Sequence, residues 1–205
     1  MPLQNRVTPF GDLIAVPDRG EMFGNRGGCF HDPDTKSLGR RRWASRQWII
    51  CTLSFKGRQR SVWGRGYTEL FFLDEVTALA AGHRPCFECR RAAALSYAAA
   101  FDPKSPDRPR APDIDRMLHR ERLDHRDKRL HRIETGRVPD GAMIEIDGEA
   151  WAVRGDSLLS WSPAGYGARR PRPSGGTVAM LTPPGSARAL GAGYRPIWHS
   201  STEAL

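Results

Sequence analysis

Between residues 71 and 81 the spacing of apolar positions changes from that of a strand to that of a helix. The apolar run 71–73 is typical of a strand, and a helical pattern follows from Val76 to Ala81. Asp74 is a favourable N-cap for this short helix, and Gly82 suits the left-handed position that ends a helix. The stretch therefore predicts a strand followed directly by a short helix.

Two cysteines, Cys86 and Cys89, come next and precede an alanine-rich run from 90 to 101 that predicts a longer helix. Thiols at this spacing beside a helix start point toward one ion, and the amides there favour the thiolate that binds metal. A structural zinc ion takes four such ligands. The pair therefore predicts half of a Zn²⁺ site.

Candidates for the other two zinc ligands lie in segments upstream of Cys86. Residues 46–55 alternate as a strand, which places Cys51 on its apolar face, and Lys56-Gly57 predicts a turn into a second strand from 58 to 63. Cys51 is either a buried structural thiol or a zinc ligand. We expect Cys51 and Cys29 to complete the ligand set with Cys86 and Cys89. His31 and His83 are alternative donors.

The other segments carry weaker patterns. Residues 12–16 predict a strand, and the glycine-rich residues 20–34 predict an irregular loop. A proline-rich stretch, 102–112, predicts a linker, and a charged helix is expected from Asp113 to Ile133. Four short strands are expected at 142–146, 150–153, 157–161 and 177–181, with a hairpin turn at Asp147-Gly148 and an arginine-rich loop at 163–176.

The composition excludes several classes of protein. The 205 residues contain no apolar run long enough to cross a membrane, and the N-terminus lacks the apolar core of a signal peptide. We therefore expect a cytoplasmic protein with no membrane partner. In that reducing compartment the four cysteines indicate metal binding or free thiols before disulfides.

The net charge of +9 is unevenly distributed and indicates an anionic partner. No Asp or Glu occurs between Thr35 and Thr68, whereas nine basic residues occur there with five aromatic residues interspersed among them. This composition suits phosphate contacts and base stacking, so we expect nucleic acid, and DNA in particular, as the partner. A solvated arginine-rich surface is the alternative. The expected contact residues are Arg42, Arg46, Lys56, Arg58, Arg60, Arg65 and Trp63.

The segment Glu75-x-x-Ala-Leu-Ala-Ala-Gly-His-Arg-Pro-Cys86-x-x-Cys89 resembles the zinc-binding domain of the Ada DNA-repair protein family, which removes methyl groups from phosphotriesters. The resemblance covers residues 48–92. It implies a zinc-bound thiolate that accepts a methyl group, at the position of Cys51. The family carries a second cysteine four residues after that one, where this chain has Phe55. A structural zinc site is therefore expected ahead of a site without metal or an alkyl-transfer site.

Three enzymatic alternatives stay open beside nucleic-acid binding, and whether the chain is an enzyme is left undecided. Glu69 and His83 flank the short helix and are candidates for a base and a phosphate-contacting group in a hydrolase. His119-x-Glu121 matches part of the zinc-deaminase signature, but in the wrong order relative to the cysteines. Lys128 is a candidate amine for a glycosylase or lyase. A scaffold for an acidic protein is a further alternative.

The expected fold class is α+β, with a treble-clef-like zinc module (a β-hairpin, knuckle and helix) and a small antiparallel β unit. We expect residues 1–101 to form an Ada-like module with an N-terminal strand and loop. Residues 102–112 then form a linker, and 113–205 form the charged helix and the β unit. The expected function is binding of nucleic acid, in a DNA-repair or damage-response role.

Overall fold

The computed structural model describes residues 1–58 and 61–205. Within these ranges the chain forms two six-stranded sheets, two small two-stranded sheets and four α-helices, which confirms the α+β class. No helix in the described ranges combines the length and the apolar character that a membrane crossing requires.

Short strands dominate the chain up to residue 101. In order, the elements are β1 (Arg6–Val7), β2 (Leu13–Ile14), β3 (Met22–Arg26), β4 (His31–Asp32), β5 (Ser37–Leu38), β6 (Trp48–Cys51), β7 (Leu70–Phe72), α1 (Glu75–Ala80), β8 (Arg84–Pro85) and α2 (Arg91–Phe101).

Longer strands follow in the rest of the chain. The elements there are α3 (Ala111–Arg122), β9 (Leu123–Asp124), β10 (Asp127–Lys128), β11 (His131–Glu134), a 3-10 turn (Thr135–Arg137), β12 (Met143–Ile146), β13 (Glu149–Arg154), β14 (Ser157–Ser162), β15 (Gly165–Pro171), β16 (Thr177–Met180), α4 (Pro184–Gly191) and a second 3-10 turn (Ser200–Ala204).

The first sheet has the strand order β2-β1-β7-β3-β6-β8 and is mixed. The glycines predict that segment 20–34 is irregular, and that prediction is wrong for residues 31–32, which form β4, and for residues 22–26. The latter form β3, one of the two central strands. Gly24 explains the difference, because a Cβ there would lie 2.1 Å from the carbonyl oxygen of Ile49 on β6. The glycine permits close strand pairing rather than a loop.

The predicted hairpin after β6 is also corrected in the described residues. The turn forms, with Lys56 at φ 51° and Gly57 at φ 65°. However, β6 pairs with β3 and β8. Of the predicted second strand, residues 61–63 are not in a strand, and residues 59 and 60 lie outside the described residues. Strand β6 is therefore held by a distant strand on each side.

The second sheet is antiparallel throughout, with the order β11-β16-β12-β13-β14-β15. The predicted turn at Asp147-Gly148 is confirmed, since both residues have positive φ, 55° and 81°. The predicted loop 163–176 is wrong over 165–171, which form the edge strand β15. Its arginines are engaged locally: Arg169 donates to the Ser157 hydroxyl at 2.8 Å, and Arg170 lies over the Trp151 ring.

Helix α3 ends at Arg122, so the predicted helix to Ile133 is wrong beyond that residue. The chain instead makes the β9–β10 hairpin, whose turn places His125 at φ 54°. The spacing of charges is compatible with a continuous helix. The Arg122 side chain is nevertheless buried against other elements, which is a tertiary contact that the local pattern does not encode.

Helix α1 is buried at every position and lies between the two sheets. Asp74 caps it, as predicted, by accepting hydrogen bonds from the backbone NH and hydroxyl of Thr77 at 2.8 Å. Of the predicted linker 102–112, residues 102–110 connect α2 to α3, whereas 111 and 112 already belong to α3. Side chains from both sides of it share one hydrophobic core, which includes Ile50, Phe72, Leu79, Tyr97, Ile114, Ile144, Trp151 and Leu190.

Candidate metal centre

The outer face of the first sheet carries the candidate site. Along β6, Ile49 and Cys51 contact one hydrophobic cluster, and Ile50 joins the main core on the other face, as the alternation predicts. Residues of this outer face line a pocket of about 380 Å³, hereafter the thiol pocket. Its lining includes Phe23, Asn25, Ile49, Cys51, Phe71, Cys86, Phe87 and Cys89.

Parallel pairing of β8 with β6 brings distant cysteines together. Ile50 is the partner of Pro85 in this pairing, and the Cys86 amide donates to the Ile50 carbonyl at 2.9 Å. The chain then turns tightly, and the Arg90 amide donates to the Cys86 carbonyl at 3.1 Å. As a result, the three Sγ atoms of Cys51, Cys86 and Cys89 lie within 4.8 Å of one another. We call these residues the three-thiol group.

The three-thiol group suits a thiophilic cation. Hydrogen bonds from the Cys51 and Cys89 thiols hold the pKa of Cys86 well below its usual value, and the amides of Cys89 and Glu88 add to this effect. Conversely, the hydrogen bond with Cys86 raises the pKa of Cys51, and burial adds to the shift. One sulfur therefore carries negative charge while a neighbour keeps its proton. A bound Zn²⁺ would replace that proton, because zinc binds cysteine as thiolate.

Two buried ion pairs hold the segments that carry the thiols. Arg84, two residues before Cys86, makes two 2.8 Å hydrogen bonds to the carboxylate of Asp115 on α3. Arg90, directly after Cys89, makes two 2.7 Å hydrogen bonds to the fully buried carboxylate of Glu75. Residues 84–90, hereafter the knuckle, are thus tied to α3 on one side and to α1 on the other.

The structure places Cys29 apart from the three-thiol group. Cys29 is exposed, and its Sγ lies 3.6 Å from Nδ1 of His31. His31 is itself engaged, since its ring nitrogens contact the Thr68 hydroxyl at 2.7 Å and the Gly64 carbonyl at 3.0 Å. In the part of the chain that the structure describes, no other Cys, His, Asp or Glu joins the group.

Glu69 and His83 are not brought into one site. Glu69 lines the thiol pocket, and its carboxylate accepts a hydrogen bond from the Trp63 amide at 2.8 Å. His83 is fully buried between the rings of Trp48 and Phe72, at centroid distances of 4.9 and 4.7 Å. Burial, with the nearby Arg26 guanidinium, holds the pKa of His83 well below its usual value. Such a neutral, enclosed imidazole has no route to a substrate in the thiol pocket.

The residues predicted to contact nucleic acid separate into two kinds. Five cations are exposed, namely Arg42, Arg46, Lys56, Arg58 and Arg65, while Arg60 lies outside the described residues. Trp63 is completely buried, stacked on His31 at 5.0 Å, and its indole NH donates to the Glu69 carbonyl. No face of this ring is free to stack on a base. Arg58 lies at the thiol pocket and pairs with Glu88 at 2.7 Å.

The sequence did not predict two aromatic residues, Phe23 and Phe71, and one cation, Arg19, that line the thiol pocket. Phe23 comes from β3 within the predicted loop, and Phe71 from β7. Arg19 lies over the Phe71 ring, with its Cζ 4.4 Å from the centroid. The available signal was the apolar pair Met22-Phe23, which the surrounding glycines obscured.

Of the features implied by the resemblance, the structure bears out the buried three-cysteine group that could hold a metal ion such as zinc. Comparisons of the chain with protein families, with curated proteins and with solved structures find no match.

Proposed function

We propose that this protein binds Zn²⁺ through Cys51, Cys86 and Cys89 and uses the metal-stabilised knuckle to present a basic surface to nucleic acid, in particular DNA under repair. The observation that carries the proposal is the convergence of three sulfurs within 4.8 Å, at a pocket that Arg19 and Arg58 also line. A zinc ion there would fix β6, β8 and the start of α2, in the manner of a treble-clef knuckle.

Metal content per chain tests the first part. Protein purified without a metal-binding tag is compared with Cys51→Ser, Cys86→Ser and Cys29→Ser. We expect one zinc ion per wild-type chain, its loss in the first two variants and its retention in Cys29→Ser, the matched control with an exposed thiol. Zinc affinity should rise with pH, because binding displaces thiol protons. A fully reduced wild type without zinc would contradict the proposal.

Salt dependence of oligonucleotide binding tests the second part. Binding to phosphates releases counterions, so each neutralised phosphate adds about 0.9 to the slope of log affinity against log salt for duplex DNA. We expect Arg46→Gln and Arg65→Gln each to lower that slope by about 1, through the loss of one phosphate contact. Arg116→Gln, an exposed arginine on α3, is the control. Absence of salt-sensitive binding would favour the alternative of a scaffold for an acidic protein.

Methyl transfer to a cysteine is the second candidate, and the position of the three-thiol group in the lining of the thiol pocket favours it. Three sulfurs leave one position of a tetrahedral ion to another ligand, and the group lines an aromatic pocket. In this reaction the thiolate sulfur attacks the methyl carbon of a methylphosphotriester. The S–C bond forms, the C–O bond breaks, and the phosphodiester departs with the electron pair.

Mass spectrometry of the protein distinguishes this candidate from binding alone. After incubation with an oligonucleotide carrying a methylphosphotriester, a peptide that contains Cys51, Cys86 or Cys89 should gain one methyl group. Equal labelling of the exposed Cys29 would indicate non-specific alkylation instead. An unmodified protein that still binds the oligonucleotide would leave binding as the function.

A further inference from the structure

A second cavity, of about 610 Å³, lies against the other face of β3 and β6 and is also lined by residues of the β9–β10 hairpin. We call it the basic cavity. Its charged lining consists of five cations and two carboxylates: Arg26, Arg42, Arg122, Arg126, Lys128, Asp12 and Asp127. Within the described residues none of these cations forms a salt bridge with a carboxylate. The cavity therefore has a positive charge that the protein itself leaves unbalanced.

Two of the cations are almost completely buried. Arg26 and Arg122 are each 1% exposed, and their Cζ atoms lie 3.9 and 3.7 Å from the Trp48 ring centroid. Backbone carbonyls and histidine ring nitrogens, rather than carboxylates, accept their hydrogen bonds, including the carbonyls of Gly11 at 2.8 Å and Gly82 at 2.9 Å. The buried Nε of Arg122 has no hydrogen-bond partner.

Lys128 adds a third cation to the same region. Its ammonium donates to the carbonyl of Ala80, at the end of α1. Burial, together with the charges of Arg122 and Arg26, lowers the pKa of Lys128 to about 7. Gathering like charges away from water with too few counter-ions, here two carboxylates for five cations, destabilises a fold. An arrangement of this kind is explained by an anion that the cavity receives.

The fold makes specific room for this cluster. Gly82, at φ 85°, lies directly beneath Arg122, and a Cβ there would come within 2.6 Å of the arginine Cδ. The β9–β10 hairpin, in place of a continued α3, turns Lys128 back onto α1. Two separate backbone features thus place the cations together.

We propose that the basic cavity binds the phosphate group of a nucleotide, with Trp43 stacking on the base. Arginine and lysine donors give charge-assisted hydrogen bonds to phosphate oxygens. Trp43 is a half-buried residue that lines the cavity, and its ring centroid is 5.8 Å from that of Trp48. The volume lies in the range of small-ligand pockets. This site goes beyond the proposed function, because it lies on the other face of the sheet and needs no metal.

Calorimetric titration of the full chain at low salt tests the proposal with three ligands: adenosine 5′-monophosphate, adenosine and inorganic phosphate. We expect the monophosphate to bind at least about tenfold more tightly than adenosine, since the phosphate supplies the charge-assisted contacts. Trp43→Ala should weaken binding of the monophosphate while leaving inorganic phosphate unaffected. Equal affinities for adenosine and its monophosphate, or no binding of any of the three, would overturn the proposal.

A matched pair of variants tests the assignment of the cavity. Lys128→Met should lower affinity for the monophosphate about tenfold or more, whereas Arg129→Gln, the adjacent exposed cation, should leave it unchanged. Lys128→Met removes a repulsive charge, so we expect it to fold without phosphate. Unchanged affinity in Lys128→Met would refute the site. Cys86→Ser should still bind the monophosphate, which separates this result from the fate of the metal centre.

Competition by single-stranded oligonucleotides, with and without a 5′-phosphate, identifies the source of the phosphate. Displacement of the monophosphate by both strands would assign the site to backbone phosphodiesters. Displacement only by the 5′-phosphorylated strand would assign it to a strand terminus, and displacement by neither would assign it to a free nucleotide. Each of these results retains the phosphate site and differs only in the molecule that carries the phosphate.

Discussion

Replacing Glu75 by glutamine should destabilise the protein strongly, because this carboxylate is the counter-ion of a buried arginine. Glu75 is 0% exposed and accepts four hydrogen bonds: two from Arg90 at 2.7 Å, one from the Tyr194 hydroxyl and one from the Ile197 amide at 3.0 Å. Glutamine keeps the shape but removes the charge, and its amide NH₂ faces groups that are themselves donors.

The expected magnitude follows from this geometry. Removing one partner of a buried ion pair leaves the other charge uncompensated and costs about 3–5 kcal/mol. The matched control is Glu88→Gln, whose exposed pair with Arg58 has the same 2.7 Å distance but side chains that are 46% and 59% exposed. Solvent screens that pair, so its loss should cost less than about 1 kcal/mol.

Equilibrium urea unfolding of both variants provides the measurement. With a slope of about 2 kcal/mol per molar urea, a loss of about 4 kcal/mol moves the midpoint down by about 2 M. Glu75→Gln should also weaken zinc binding, since Arg90 directly follows Cys89. The double variant Glu75→Leu with Arg90→Met should recover part of the stability, because it removes both charges. A Glu75→Gln midpoint as close to wild type as that of Glu88→Gln would refute this reasoning.

Two further predictions concern the first sheet and its surroundings. His83 is buried in its neutral form, so the folded state binds fewer protons than the unfolded state below about pH 6.5, and its contribution to stability is lost as the pH falls through that value. The free energy of unfolding should therefore differ less between about pH 7.5 and about pH 5.5 in His83→Phe than in wild type, by about 1 kcal/mol. His125→Gln, at an exposed position, is the control and should keep the wild-type difference. Equal differences in the two variants would count against a neutral His83. Gly24→Ala should lower the free energy of unfolding in urea by about 2 kcal/mol, because the new Cβ would lie 2.1 Å from the Ile49 carbonyl oxygen. Gly39→Ala, where a Cβ would have no atom within 4 Å, is the control and should leave the stability nearly unchanged. A Gly24→Ala variant as stable as wild type would show that β3 and β6 are not so closely paired.

Local chemistry alone determined several parts of the molecule. Asp74 and Gly82 predicted the limits of α1, since a capping carboxylate and a left-handed glycine act on the nearest turn of backbone. The Asp147-Gly148 turn and most of its flanking strands followed from sequence for the same reason. Alternation in β6 predicted which face carries Cys51, and the spacing of Cys86 and Cys89 predicted that they share a site.

Tertiary structure decided what depends on contacts between distant segments. Parallel pairing of β8 with β6 selected Cys51 rather than Cys29 as the neighbour of the CxxC pair, and no pattern within either segment encodes that pairing. The glycines around β3 indicated a loop because their freedom is local, while their use, close approach to β6, is a long-range contact. Arg26 is about a hundred residues away from Arg122 and Lys128 in the chain, and only the packed fold brings these three cations into one cavity.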